Sequence, residues 1–406
     1  MQSVLEKISS AVWGTPLIML ILGTGIFYTL KLRFIQLRLP RLLLRTKSSD
    51  RGQLKTVCMS LGASMGTGNI AGTASALAIG GAGSLLWMWV SAFFGMSLVY
   101  AENSLSARYS DSSSKGAMAY LSKGLGSRKA AGFFAFSCVL ASFGMGGMAQ
   151  VNTFAESLYS YINSDRFAAA AVIFLLIALI ISGGAKRIGT AAQLMLPVAG
   201  IAYAAVCIPV IISNSERLPG VISDIFTQAL GLRQAAGGLA GQAIAVGIRR
   251  GIFSNEAGLG SSPVLHSCAG ENMQDMAVWS MLEVAADTVC CTLTALTVLC
   301  SCDTYSVADA LTNMLRGGTA PFLTAVNGLF ALCTVVGWYY CGETAFLHLS
   351  GNRFRKLFCL TFAAVSASGA VFGAPAVWTV SDIFNALMAF PNLLGLILLS
   401  KKVKRE

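Results

Sequence analysis

The chain has 406 residues, of which 55% are hydrophobic and only 12% charged, with a net charge of +11 and a mean hydropathy of +0.68. Soluble domains carry about 25% charged residues, so this composition excludes an ordinary soluble protein and indicates a polytopic membrane protein. The basic residues lie in short runs between apolar segments, as in loops at an anionic membrane face. The expected partner surface is therefore membrane lipid and not nucleic acid.

A helix needs about 20 apolar residues to cross the hydrocarbon core. In chain order, candidate spans fall at 13–30, 55–80, 83–107, 131–160, 168–184, 189–213, 236–266, 276–300, 320–346, 355–373 and 377–399, which predicts eleven. The first apolar stretch has no A-x-A cleavage site and runs into a basic loop, so it is read as a retained helix and not a signal peptide. With the amino terminus outside, the loops at 31–55, 108–129, 186–187 and 353–356 and the tail at 401–405 hold 22 of the 29 basic residues. The opposite side holds Lys7, Arg166, Arg217, Arg233 and Arg316, and Arg249 and Arg250 lie within a span. This asymmetry predicts an outside amino terminus and a cytoplasmic carboxyl terminus in a multi-pass cell-membrane protein.

Setting aside the helix at 13–30 leaves ten spans, which divide into 52–213 and 236–399 with five each. An odd number per half places the halves in opposite orientations within one transporter domain. Each half opens with a glycine-interrupted span, "GASMGTGNIAG" in the first and "GIRRGIFSNEAGLG" in the second. Paired interrupted helices at corresponding positions point to the midplane site of an inverted-repeat transporter.

In the first of these, Gly62 and Gly66, and Gly68 and Gly72, form small-xxx-small pairs that fit close helix packing. Ser64, Thr67 and Asn69 beside them favour unwinding, because exposed amides and carbonyls are tolerated at membrane depth only where they line a cavity. The spacing here is not a dinucleotide fingerprint, since no strand precedes it and the third glycine is displaced. The second interruption carries Ser254, Asn255 and Glu256 just after Arg249 and Arg250, groups that require a protein interior or a wet vestibule; a cytoplasmic loop after a short span is the alternative. In the eighth span Glu283 and Asp287 are four residues apart and share a helix face. They need a cation, a proton, or Arg249 or Arg250 to neutralise them, either as an ion pair locking two helices or as cation coordination.

The 11 cysteines fall mostly within apolar runs and form no C-x-x-C pairs, so they read as small apolar residues, and no metal beyond a transported monovalent cation is expected. The two histidines, His266 and His348, read as interfacial residues. No Walker-type phosphate loop and no catalytic constellation is present. The chain is therefore read as an ion-gradient-driven carrier, with a channel or a membrane enzyme as rivals, and it calls for no cofactor and no obligatory protein partner.

Five stretches carry a resemblance to a known family: "GTGNIAG" (66–72), "WMWVSAFFGM" (87–96) with Glu102, "RGIFSNEAGLGSSP" (250–263), "GWYYCGE" (337–343) and "DIFNALMAFPNLLGLILLS" (382–400). With these the chain resembles, over almost its whole length, the alanine or glycine:cation symporters of the amino acid-polyamine-organocation superfamily. The resemblance implies a five-plus-five inverted-repeat fold with one added amino-terminal helix, importing alanine or glycine with a cation by alternating access. Carried over by motif, Thr67, Gly68 and Asn69, Gln150, Phe253 and Ser254, and Thr334 and Trp338 would surround the substrate. Gly62, Met65 and Cys333 would lie at the cation site. Amides and Thr67 would hold the carboxylate, Asn69 or Gln150 and carbonyls the ammonium, while Phe253 and Trp338 would leave room for little more than a methyl group. The family usually has a hydroxyl residue at position 333, and a thiol is a poor ligand for hard Na+. The resemblance implies sodium as the co-transported ion, and Cys333 keeps a proton open as the alternative.

Overall fold

The computed structural model describes residues 12–46, 51–162, 165–231, 238–268, 273–351 and 353–404. The start of the expected span at 236 and the basic residues Lys7, Lys47, Arg233 and Arg405 lie outside the described residues. Among the described residues all regular structure is helical. The principal helices are Thr15–Lys31, Arg51–Ser64, Ala71–Gly80, Gly83–Tyr109, Arg128–Ala141, Ala149–Ile162, Arg166–Ile181, Gly184–Ser213, Leu218–Ala229, Gly238–Asn255, Ser261–His266, Met276–Ser301, Val307–Leu315, Thr319–Ser350, Arg355–Ser368 and Ala374–Leu398. This is the all-α membrane architecture that the hydropathy pattern predicts.

Six helical units among the described residues are long and apolar enough to cross a bilayer on their own, and a seventh counts if Pro16–Lys31 and Ile35–Leu43, bent by 55°, are taken together. Other expected spans are shorter in the structure: 168–184 becomes the 16-residue helix Arg166–Ile181, and 355–373 becomes the 14-residue helix Arg355–Ser368. The two glycine-interrupted spans are divided into arms, the first into short ones and the second into an 18-residue arm too polar to count and a 6-residue one.

Membrane solvation is visible in which side chains face out. Leu194 and Ile201 of Gly184–Ser213 are 70% and 71% exposed, and Leu175 and Leu179 of the neighbouring helix are exposed beside them. In water each would forgo about 1.5–3 kcal/mol of burial, whereas lipid removes that penalty. Polar groups take the reverse position. Thr67, Asn69, Glu102, Asp287 and Asn392 are fully buried, where every donor and acceptor needs a protein partner.

The amino-terminal helix is part of this body. Trp13 donates to the Asp382 carbonyl at 2.7 Å, the Tyr28 hydroxyl to the Leu396 carbonyl at 2.6 Å, and Lys31 to the Ser400 carbonyl. The first span therefore lies along the last one.

Both glycine-interrupted spans are broken. The first runs as Arg51–Ser64, a single tight turn at Thr67–Asn69, then Ala71–Gly80. The second runs as Gly238–Asn255, an irregular segment, then Ser261–His266. Glu256, Gly258 and Gly260 have φ of +54°, +85° and +79°, a left-handed sequence that helix cannot accommodate and that glycine permits at two of the three positions. This segment is buried throughout, so it is a break inside the protein and not a loop on its surface.

Two cavities show how the broken helices run. One, of about 910 Å³, is lined by Ser110–Lys115, Ser267, Cys268, His348 and Arg355, and therefore gathers segments next to the basic loops. The other, of about 360 Å³, is lined by Ile79, Gly72, Val246, Arg250, Phe253, Trp378 and Asp382. From Ser60 to Ile79 the first broken helix climbs away from the basic face to the second cavity, while from Val246 to Cys268 the second one descends. The two are antiparallel, with their breaks between the cavities.

Candidate functional site

The first break forms because Gly66 is extended and the Thr67–Asn69 turn cannot extend the helix on either side. Asn69 Oδ1 accepts the Gly66 amide at 3.1 Å and so closes the turn on itself. The Thr67 amide and hydroxyl both donate to Gln150 Oε1, at 3.0 and 2.8 Å. Gln150 reaches this point from just beyond the π-helical segment Ser142–Met148, whose wider turn shifts the register of the helix face that follows. The Thr334 hydroxyl donates to the Gly62 carbonyl at 2.9 Å. A Cβ on Gly66 would lie 2.6 Å from the Thr334 hydroxyl and 2.7 Å from Gln150 Oε1. Thr67, Gln150, Thr334 and Gly66 therefore converge on one point.

The remaining expected contacts lie around this cluster. Trp338, one turn beyond Thr334, packs against Gly146 and donates Nε1 to Glu256 Oε1 at 2.8 Å. Ser261 donates to the other Glu256 oxygen at 2.7 Å. Phe253 faces the 360 Å³ cavity, with its ring centroid 5.8 Å from that of Trp378. Cys333 lies against Gly62, but the Gly62 carbonyl is engaged by Thr334, and Met65 packs in the apolar cluster that also holds Cys333.

Asn69 and Ser254 join the two breaks to each other. Asn69 Nδ2 donates to Asp287 Oδ1 at 2.6 Å, and the Ser254 hydroxyl donates to Asp287 Oδ2 at 2.7 Å. Cys291, one turn along the same helix, is 3.3 Å from both donors. One carboxylate is thus clasped by both broken helices, with oxygen and amide groups around it.

The charged residues separate where the sequence groups them. Arg249 pairs with Asp382 at the cavity and lies 5.6 Å from the Trp13 ring. Arg250 is half-buried, donates to the Gly68 carbonyl at 2.6 Å, and stacks 5.2 and 5.8 Å from the Phe253 and Trp378 rings. Its guanidinium occupies the space where any residue but glycine at 72 would place a Cβ. Neither arginine pairs with Glu283, contrary to one of the expected neutralisations. Glu283 instead accepts from Ser60 at 2.8 Å and faces His266 Nε2 at 2.9 Å. His266 is accordingly buried, which corrects its reading as an interfacial residue.

Asp382, Trp378 and Ser60 are site neighbours that sequence reading missed. Asp382 had a signal, since a span holding two arginines requires a carboxylate nearby. Among the described residues no group of three His, Cys, Asp or Glu side chains could hold a metal ion.

Comparison with known proteins places this arrangement. The sequence model of the Sodium:alanine symporter family matches residues 1–406. The chain is 36% identical over 434 residues to the sodium/alanine symporter AgcS of Methanococcus maripaludis, covering 100% of this chain and 96% of that protein. It is also 36% identical over 437 residues to an uncharacterized transporter of Haemophilus influenzae, covering 100% and 95%. Its fold is similar to that in the crystal structure of MhsT in complex with L-phenylalanine, with a TM-score of 0.64 over 88% of this chain and 89% of that one at 15% identity. Two antiparallel broken helices, a polar cluster at their meeting point and a whole-chain family match agree: this multi-pass membrane transporter belongs to the sodium:alanine symporter family.

Proposed function

We propose that the protein imports a small neutral amino acid, alanine or glycine, together with Na+, by alternating access between its two cavities. The observation that carries this reading is the Asp287 carboxylate held by Asn69 of one break and Ser254 of the other. A cation bound to this carboxylate, with the Ser254 hydroxyl oxygen beside it, would compete for the oxygens to which both broken helices donate, so their relative position would depend on its presence. Oxygen donors suit Na+, and Cys291 stands at the edge of the set. This cluster is favoured over Gly62, Met65 and Cys333, whose one well-placed carbonyl is already engaged.

The substrate would sit beside it, among Thr67, Gly68, Gln150, Thr334 and Trp338, entering past Phe253 from the 360 Å³ cavity. Gln150 Oε1, which accepts two bonds from Thr67, would exchange one of them for the substrate ammonium. Amides at the first break would receive the carboxylate. The Trp338 ring, held by Glu256 and Gly146, would limit side-chain size. The basic face is read as cytoplasmic, which makes the 910 Å³ cavity the exit. Repeat boundaries at 52–213 and 236–399 complete this reading.

Uptake of labelled alanine and glycine into proteoliposomes, under an imposed Na+ gradient, an imposed H+ gradient or neither, tests the proposal. Saturable, concentrative uptake that requires the Na+ gradient is expected. Uptake without saturation would indicate a channel, and uptake driven equally by H+ alone would replace sodium.

A further inference from the structure

The contact between His266 and Glu283 has a hydrogen count that does not close without a mobile proton. His266 ends the second broken helix, and Glu283 lies on Met276–Ser301. Asn103 donates its amide to the Val99 carbonyl and to Ser262, both at 2.9 Å, which fixes its Oδ1 as the atom 3.1 Å from His266 Nδ1. Nδ1 therefore carries a hydrogen, with the Ser262 oxygen further away at 3.3 Å. A neutral imidazole with Nδ1–H has a bare lone pair at Nε2, and here Nε2 faces Glu283 Oε1 at 2.9 Å. One more proton must lie between them, either on the imidazole or on the carboxyl. Without it, a lone pair and a carboxylate would oppose each other in a buried site, at the cost of an unpaired buried polar contact.

That proton would connect three elements. The second Glu283 oxygen accepts from Ser60 on the first broken helix, so His266–Glu283–Ser60 ties the basic-face arms of both broken helices to Met276–Ser301. A narrow void of about 10 Å³, lined by Ser60, Ser262, Glu256 and Glu283, adjoins the pair. The 910 Å³ cavity reaches Ser267, the residue after His266. The pair therefore lies one residue from the lining of the basic-face cavity, on the basic-face side of the breaks.

The other ionisable groups on the packed elements have separate partners or act at a distance. Cys58 on the first arm and Glu256 at the second break reach Glu283 electrostatically. Glu102 is held by Asn392 and the Gly260 amide, Glu343 by Arg355, and Asp287 by Asn69 and Ser254. Lys115 and Tyr340 face Cys268.

We propose that His266 and Glu283 form a proton-binding site that latches the basic-face arms of the two broken helices, holding them together when the proton is bound and releasing them when it leaves. The latch deepens the symport reading by making release of cargo sensitive to pH on one side. The proton site itself stands on the geometry alone.

The chain has two histidines, so protein labelled with ¹⁵N-histidine and carrying His348→Gln reports His266 by itself. In that protein the ring signals are expected to show Nδ1 carrying a hydrogen, and Glu283→Gln should change the Nε2 signal. In proteoliposomes, lowering pH on the basic-face side should slow alanine uptake by up to about tenfold per pH unit, the limit for one proton. The same change on the opposite side should have less effect, and Glu283→Gln should flatten the dependence. Alanine-induced thermal stabilisation of Glu283→Gln protein controls for folding. A ring that does not respond to Glu283→Gln, or uptake with an unchanged pH profile in that variant, overturns the latch while leaving symport intact. A ring that responds to Glu283→Gln in protein that takes up no amino acid supports the proton site and refutes the symport reading instead.

Discussion

The two breaks interrupt helices at corresponding positions but by different chemistry. The first, from Gly62 to Gly72, contains no charge and closes through short polar groups: the Asn69 side chain on the Gly66 amide, and Thr67 on Gln150. The second, from Arg249 to Gly260, is bounded by charges. Arg249 and Arg250 stand before it, and Glu256, with a left-handed backbone, stands within it. The difference divides the labour. The first break presents backbone and short polar groups at close range, while the second brings ionic groups that fix where its partner can lie. They meet at Asp287, which belongs to neither.

Each substitution below strains one side of this contrast. The largest effect is expected from Asp287→Ala, which leaves Asn69 and Ser254 without their shared acceptor and removes one of the carboxylates that act on Arg250; removing one member of a buried charged network costs about 3–5 kcal/mol. Uptake should vanish, and Asp287→Asn should retain folding while raising the Na+ concentration needed for half-maximal uptake. If Asp287→Asn leaves the Na+ dependence unchanged, the cation site lies elsewhere.

Gly72→Ala comes next, because the new methyl enters the space of the Arg250 guanidinium, and overpacking of this kind costs about 1–3 kcal/mol. A second change, Arg250→Lys, should restore part of the lost thermal stability. No recovery in the double variant would mean that Gly72 is needed for another reason. Trp338→Phe keeps an aromatic wall and removes the donor to Glu256, at roughly 1–3 kcal/mol for the stranded acceptor; competition assays should show a weaker preference for alanine over larger side chains. Thr334→Val, which frees the Gly62 carbonyl, should cost about 1 kcal/mol. If that loss appears in the amino-acid dependence at saturating Na+, the hydroxyl serves the substrate. The smallest effect belongs to Asp382→Asn. Its pair with Arg249 borders a water-accessible cavity, where ion pairs are worth about 0.2–1 kcal/mol, and the change should appear mainly as a salt-dependent entry rate.

Much of the site is legible in the sequence because its residue types are unusual at membrane depth. Glycines next to Thr67 and Asn69, and Glu256 after two arginines, are costly in lipid, and that cost marks the breaks and their burial. The contacts among Thr67, Gln150 and Thr334 need the family motifs, since 83 residues separate Thr67 from Gln150 and no spacing rule links them. The partners of the charges are not legible. Glu283 and Asp287 share a helix face and look like a pair, yet one faces Ser60 and His266 and the other Asn69 and Ser254.

Composition and hydropathy by themselves determined that this is a helical membrane protein with interrupted, oppositely directed spans, because lipid tolerates only satisfied backbone and excludes unpaired polar groups along every apolar stretch. Tertiary packing alone decided which polar group satisfies which. Asp287 is clasped by both breaks, Arg250 fills the space left by Gly72, and His266 is buried on Glu283. Such pairings depend on the angle and depth at which helices distant in sequence cross, and a side chain's local pattern carries no record of the neighbour that will meet it.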